Sequence, residues 1–222
     1  MQRLVPYALT ILALTPWMMA QHSRPNEIPR FEFYAGYLDA GEAQYNVFHF
    51  TQPGANIVFT DDFGTKRGVD LSATHNLTRL IGIKADFSAH FHYDEGPVNV
   101  APCSGCVVSQ TASINPRLYN FLIGPEFNFR NHTRFTPFVH TLVGIAHTNA
   151  TFKTSGSGVN FAASTSETGF AMGLGPGFDI RIARRFSFRM ILDYNPKWVG
   201  RDDDGGRSLL GDVRLSVGIV LR

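Results

Sequence analysis

Hydrophobic and polar residues alternate with a period of two over much of this sequence, and the segment Leu80 to Tyr93 shows the pattern clearly. One alternate set is apolar and aromatic, and the other holds glycine, lysine, aspartate, serine and histidine. Because successive side chains of a β-strand point to opposite faces, the segment is predicted to be a strand with one apolar and one charged face. Which face points inward decides the class of protein.

Eight segments of the chain carry this alternation. They span residues 30–40, 67–77, 80–93, 118–130, 136–152, 169–183, 186–196 and 211–222. The fifth is the least regular, because Phe138 and Leu142 share a face with His140. No stretch after residue 20 is apolar over the roughly 18 residues that a membrane-spanning helix needs. Any insertion into a membrane is therefore expected to use strands.

Long and short links alternate between these segments. The tight ones lie near residues 76–79, 131–134 and 183–185, and the others are longer and more polar. Up-and-down barrels of the outer membrane have this asymmetry, with tight turns at one rim and longer loops at the other. The sequence therefore predicts an all-β fold, an eight-stranded antiparallel up-and-down transmembrane β-barrel.

The charged faces are predicted to point into the barrel. An eight-stranded barrel has room inside for side chains or one small ligand, so the aromatic faces would crowd it. Facing lipid, they meet hydrocarbon, and the enclosed acids and bases are balanced closely enough to pair, as buried charges must. Gly173, Gly175 and Gly177 leave room for long side chains. The predicted interior polar network comprises Glu32, Asp70, Lys84, Asp86, Glu126, Arg130, Asp179, Arg181, Arg189, Asp193, Asp212 and Arg214.

The first 20 residues differ from the rest of the chain. Arg3 precedes a mostly apolar run that ends at Ala20, which is typical of a secretory signal peptide. The run is short and interrupted by Pro6 and Pro16, which disfavours a membrane anchor. We predict a cleaved signal peptide at residues 1–20 and a barrel domain at residues 21–222. The formal net charge of +2 gives no signature of nucleic-acid binding.

Five segments in order resemble the OmpA-like outer-membrane β-barrel domain family: LTRLIGIKADFSAHF, YNFLIGPEFNFR, TPFVHTLVGIAH, GFAMGLGPGFDIRIARRFSFRMILDYNP and the spacing of residues 213–222. The resemblance covers nearly the whole mature chain. It implies a small porin-family barrel of the bacterial outer membrane. Its partners would be outer-membrane lipid, lipopolysaccharide and, during biogenesis, the barrel-assembly machinery. Family members usually end in an aromatic residue, whereas this sequence ends in Leu221 and Arg222.

Two cysteines, Cys103 and Cys106, form a C-x-x-C motif in the second long link. A zinc site would need two further ligands. Exported proteins meet an oxidising compartment, so a local disulfide is the simplest interpretation. A redox role is the alternative.

Histidines and a serine offer candidate chemistry on the inward face. His90 and His92, with His140, could form a metal site, although polar filling of the lumen is the simpler interpretation. Asp86, Ser88 and His90 share a face and suggest a hydrolase constellation. Neighbours two apart on one strand rarely bring a nucleophile and a base within hydrogen-bond reach. We therefore expect no catalytic, cofactor or metal site.

The pattern and the resemblance together predict an integral outer-membrane protein that is not an enzyme. Its role would be structural or in surface interaction, with a side-chain-filled interior and at most weak pore activity. The long loops would carry any extracellular ligand, whose identity the sequence leaves open. Two alternatives are an outer-membrane lipid-modifying enzyme and a soluble secreted lipocalin-like binding barrel.

Overall fold

The structure is a computed structural model, and it describes residues 28–42, 46–52, 55–61, 66–91, 94–103, 106–155, 161–199 and 209–222. These ranges contain the strands β1 (Phe31–Glu42), β2 (Asn46–Gln52), β3 (Ala55–Asp61), β4 (Lys66–Asn76), β5 (Ile81–Phe91), β6 (Asp94–Cys103), β7 (Cys106–Asn128), β8 (Phe135–Ser155), β9 (Phe161–Arg181), β10 (Phe186–Trp198) and β11 (Leu209–Leu221). Within the described ranges, no helix is long and apolar enough to cross a membrane.

Eight of these strands form a closed antiparallel barrel. The ring runs β1, β4, β5, β7, β8, β9, β10 and β11, and β11 pairs again with β1. At this closing pair Gly36 lies opposite Gly218. The predicted eight-stranded up-and-down barrel is confirmed.

The other three strands lie in links that the sequence pattern treats as loops, and that prediction was wrong for residues 46–52, 55–61 and 94–103. β2 pairs only with β3, and β6 forms the edge of the main sheet beside β7. β6 contains Pro97, which has no backbone N–H to donate to a neighbouring strand, and a proline in the sequence argues against a strand. A proline is tolerated at a sheet edge, where its missing N–H faces no partner strand.

The two rims of the barrel differ as predicted. At the short-turn rim, residues 77–80, 129–134 and 182–185 connect adjacent strands. The backbone N–H groups of Leu77 and Thr78 donate to the carbonyl of Ile81 at 2.9 and 3.0 Å. Those of Ile182 and Ala183 donate to Phe186, both at 3.0 Å. The connections at the opposite, long-loop rim are residues 43–65, 92–105, 156–160 and 199–208. The third of these is short, which corrects the prediction of a long link there, because β8 and β9 extend into the polar segment between them.

Three strands extend beyond the long-loop rim. β7, β8 and β9 have 23, 21 and 21 residues, whereas β1, β4, β5, β10 and β11 have 11 to 13. β7 pairs with β8 out to Thr111 and Ser155, and β8 pairs with β9 out to Thr154 and Phe161. Ten extra residues at about 3.4 Å each carry the strands about 30 Å further along their axes. We call these extensions, with β6 at their edge, the projecting sheet.

The barrel wall is apolar outside and largely polar inside. Outward side chains such as Leu71, Phe121 and Ile145 are 46–54% exposed. Inward residues such as Lys84 and Arg189 are fully buried. An apolar belt of this extent is unfavourable in water and favourable in hydrocarbon. The charges therefore lie inside, and the soluble lipocalin-like alternative does not fit the structure.

Apolar residues also occupy part of the lumen. The irregular fifth segment is explained by this packing, because Phe138 and Leu142 point inward and are 1% and 0% exposed. They belong to two buried clusters that share the interior with the charges. One comprises Tyr34, Phe138, Ile191 and Val220, and the other comprises Leu118, Leu122, Leu142, Ala146, Ala171 and Val199.

Candidate functional site

The structure brings eleven of the twelve predicted network residues to the barrel interior. The buried ones are Glu32, Asp70, Lys84, Asp86, Glu126, Asp179, Arg189, Asp193, Asp212 and Arg214. Arg130 lies at the short-turn rim with its side chain 13% exposed. Arg181 corrects the prediction, because it is exposed. It shares the inward parity of Asp179, but it is the last residue of β9, where the lumen ends.

Arg189 lies at the centre of the network near the short-turn rim. Its Nε and Nη2 atoms donate to the carboxylate of Asp179 at 2.7 and 2.9 Å. Nη2 also donates to Glu32 at 3.1 Å, and Nη1 to Glu126 at 3.5 Å. The guanidinium lies 4.5 Å from the ring centroid of Phe138, a cation–π geometry. Because Glu32 lies on β1 and Glu126 on β7, Arg189 links strands that are not neighbours and so bridges the lumen.

Two further arginines close the short-turn end of the lumen. Arg130 Nη2 donates to Glu32 at 2.8 Å and to the Asn76 side-chain oxygen at 3.0 Å. Arg222 Nε donates to Glu32 at 3.2 Å, and its Nη2 also donates to Asp179. Arg222 was absent from the predicted network. It continues the inward alternate set of β11, and that parity is the signal that could have found it.

A second group of contacts lies nearer the middle of the barrel. Arg214 Nη2 donates to Asp193 at 2.7 Å, and its Nη1 donates to Ser88 Oγ at 2.9 Å. His140 Nε2 lies 2.9 Å from the other carboxylate oxygen of Asp193. Since Ser88 is on β5 and Arg214 on β11, this contact also crosses the lumen. Removing one partner of such a buried pair is strongly destabilising, because the other charge is left buried without compensation.

Two lysines complete the network. Lys84 Nζ lies 3.6 Å from Asp86 and 3.9 Å from Glu126. Lys197 pairs with Asp212 near the long-loop rim. Lys197 was missed because the seventh segment was ended at Pro196, although the inward alternation of β10 continues through it.

The suggested hydrolase constellation is occupied by structural hydrogen bonds. The side-chain amide nitrogen of Asn120 lies between Ser88 and His90, the proposed nucleophile and base. It is 3.0 Å from Ser88 Oγ and 3.3 Å from His90 Nε2. Ser88 Oγ also accepts a hydrogen bond from Arg214. A serine nucleophile needs a base positioned to take its proton, and Asn120 separates these two groups.

Other predicted chemistry falls partly outside the described residues. His92, one of the three histidines suggested as a metal site, lies outside the described residues. Among the residues that the structure describes, no group of three or more His, Cys, Asp or Glu is placed to hold a metal ion. The backbones of Cys103 and Cys106 face each other where β6 meets β7. Their side chains lie outside the described residues, so the disulfide stays a prediction.

A closed eight-stranded barrel with an apolar belt and a charge-filled lumen defines a small transmembrane β-barrel. The family described as "Outer membrane protein beta-barrel domain" matches residues 10–211. The chain therefore belongs to this family, and its place is the bacterial outer membrane.

Several solved structures are similar to this chain. Ail, the attachment invasion locus protein of Yersinia pestis, is 18% identical with a TM-score of 0.52, over 86% of this chain and 97% of Ail. OprG of Pseudomonas aeruginosa is 14% identical with a TM-score of 0.42, over 86% and 94% of the two chains. The Escherichia coli outer membrane protease OmpT is 8% identical with a TM-score of 0.48, over 86% and 96%. No curated protein matches the chain at a significant level.

Proposed function

We propose that the protein is a non-enzymatic barrel with a structural and surface-interaction role and at most weak pore activity. The filled lumen supports this proposal. Arg189 and Arg214 hold carboxylates and a hydroxyl across the interior, and Phe138 and Leu142 fill space between them. An ion that passed through would have to separate buried paired charges, which is costly.

Single-channel recording in a planar bilayer tests the filled lumen. The purified full chain is expected to conduct far less than a sixteen-stranded porin in the same bilayer. The double variant Leu122→Ala/Leu142→Ala removes apolar volume from the lumen without touching a charge, and it is expected to raise the conductance. A wide, stable conductance of the wild-type chain would contradict the proposal.

The projecting sheet supports the surface role. It places the exposed side chain of Lys153 beyond the level in the strand register at which β5 ends. Lys153→Cys is expected to react with a membrane-impermeant maleimide on intact cells. Thr133→Cys, in an exposed short turn, is the matched control and should react only after the cells are permeabilised. If only Thr133→Cys were labelled on intact cells, the short turns would face outward and the projecting sheet inward. The proposed surface role of the projecting sheet would then be wrong.

A soluble polyanion is a practical first probe of the outer surface. The Ail structure was determined with the heparin analogue sucrose octasulfate. Exposed Arg67, Arg117 and Lys153 offer positive charge on the long-loop side here. Binding of sucrose octasulfate by the purified chain, weakened by Lys153→Gln, is the expected result if this surface takes sulfated ligands. If Lys153→Gln binds sucrose octasulfate as tightly as the wild type, any sulfate site lies elsewhere on the protein.

Lipid hydrolysis is the test of the non-enzymatic role. The purified barrel is expected to release no fatty acid from phospholipid or lipopolysaccharide. If acyl release occurs and the double variant Ser88→Ala/His90→Ala abolishes it, the protein is an enzyme and the present proposal fails.

A further inference from the structure

The short-turn rim carries a dense set of exposed positive charges. Six arginines are exposed there: Arg30, Arg79, Arg134, Arg181, Arg184 and Arg185. Among the described residues of this rim no carboxylate side chain is exposed, because Glu32 and Asp179 are buried and paired inside the lumen. Within the part of the rim that the structure describes, exposed cations are therefore in excess. We call these six residues the arginine rim.

The arginine rim adjoins the lower edge of the apolar belt. Leu77 and Leu80, 58% and 46% exposed, flank the turn that holds Arg79. Ile182 and Phe186, 62% and 49% exposed, flank the turn that holds two more of the arginines. In barrels of this kind the edge of the belt lies at the level of the lipid headgroups. The guanidinium groups are thus within reach of headgroup phosphates.

Hydrogen bonds join the arginine-bearing turns to one another. The Arg181 N–H donates to the carbonyl of Arg134 at 2.8 Å, and the Arg222 N–H donates to that of Arg185 at 2.9 Å. Arg130 Nη1 donates to the Arg79 carbonyl at 3.3 Å. These contacts hold the backbones of adjacent turns in one ring. A guanidinium binds phosphate through two parallel N–H groups, which a lysine cannot do.

The opposite rim offers a smaller set for comparison. Arg67 and Arg117 are exposed on the outer face of the barrel, one on each side of Phe91 in the strand register. Asp39, which lies opposite Arg67 in the register, provides a carboxylate near them. Replacing these two arginines therefore serves as a matched control, because it removes two positive charges from the other side of the membrane.

We propose that the arginine rim binds the phosphates of anionic phospholipids in the leaflet around the short turns. The proposal concerns the rim opposite the surface discussed under the proposed function and does not depend on it. Its contact with the apolar belt favours a lipid over a soluble polyanion, since a lipid alone fills both the charged rim and the hydrocarbon beside it.

Lipid titration followed by native mass spectrometry tests the proposal. The full chain in detergent is titrated with phosphatidylglycerol or with phosphatidylcholine of the same acyl chains, and the bound lipids are counted. The wild type is expected to prefer phosphatidylglycerol. Each basic residue at a membrane surface changes affinity about fivefold, so R184Q/R185Q is expected to weaken phosphatidylglycerol binding by about 5- to 30-fold. The control R67Q/R117Q removes two arginines near the Asp39 carboxylate and should weaken it far less.

Several results would overturn the proposal. These are an unchanged lipid preference in R184Q/R185Q, an equal loss in R67Q/R117Q, and equally strong competition by free glycerol phosphate. A heat-modifiable band on SDS-PAGE verifies that each variant is folded. If R184Q/R185Q does not fold, R79Q/R134Q removes two charges from the other turns and replaces it in the same comparison. R184K/R185K keeps the charge but loses the bidentate geometry, and it should bind between the wild type and the glutamine variant.

Discussion

Replacing Asp193 with leucine is the sharpest test of the charged interior. Asp193 accepts a hydrogen bond from Arg214 at 2.7 Å and lies 2.9 Å from His140, and it is 4% exposed. The leucine removes the carboxylate and leaves the fully buried Arg214 without its closest acid. Its neighbour Leu192 faces outward and is 49% exposed. The two adjacent positions therefore sample opposite faces of one strand.

The expected magnitudes follow from this geometry. Removing one partner of a buried ion pair costs about 3–5 kcal/mol, because the other charge stays desolvated. Arg214 keeps its 2.9 Å hydrogen bond to Ser88, which offsets only part of that cost. Leu192→Ala deletes apolar area on the lipid-facing side and costs about 1–2 kcal/mol. Asp193→Leu should thus lower the free energy of unfolding about twice as much or more.

Equilibrium unfolding in urea measures the difference. Both variants are reconstituted into vesicles, and the folded fraction is read from the heat-modifiable band on SDS-PAGE. Asp193→Asn keeps the shape and one acceptor, and it should fall between the wild type and Asp193→Leu. Equal losses of stability in Asp193→Leu and Leu192→Ala would refute the inward orientation of the charges.

Three further outcomes can be checked by the same unfolding assay. Gly175→Ala should destabilise by about 1–3 kcal/mol, because a Cβ there would clash with the Leu192 carbonyl oxygen. Gly41→Ala, with no atom within 4 Å of its Cβ, is the control and should be near neutral. Tyr34→Phe removes the 2.6 Å hydrogen bond to Ser216 and should cost about 1 kcal/mol; no loss would mean that this bond adds nothing. Arg189→Met leaves three buried carboxylates without their shared cation and should cost more than Tyr34→Phe; a smaller cost would disprove the central role of Arg189.

The sequence by itself determined the strands of the barrel and the faces of its wall. A period of two assigns each side chain to one face, and the lumen of an eight-stranded barrel cannot hold all the aromatic faces. That argument placed Lys84, Glu126 and Arg189 inside without any knowledge of their partners. The argument failed at the ends of strands. Arg181 has the inward parity but lies where the lumen ends, so it is exposed. Lys197 and Arg222 also have the inward parity, but the predicted network left them out.

Only the tertiary structure decided which charges pair and what else fills the lumen. Arg189 meets Glu32 and Glu126 from strands far apart in sequence, and Arg214 meets Ser88 in the same way. Such contacts depend on strand order and on the stagger between strands, which alternation does not encode. The inward Phe138 and Leu142 break the pattern locally, because a closed lumen has to be filled and a charge is stable there only beside a partner.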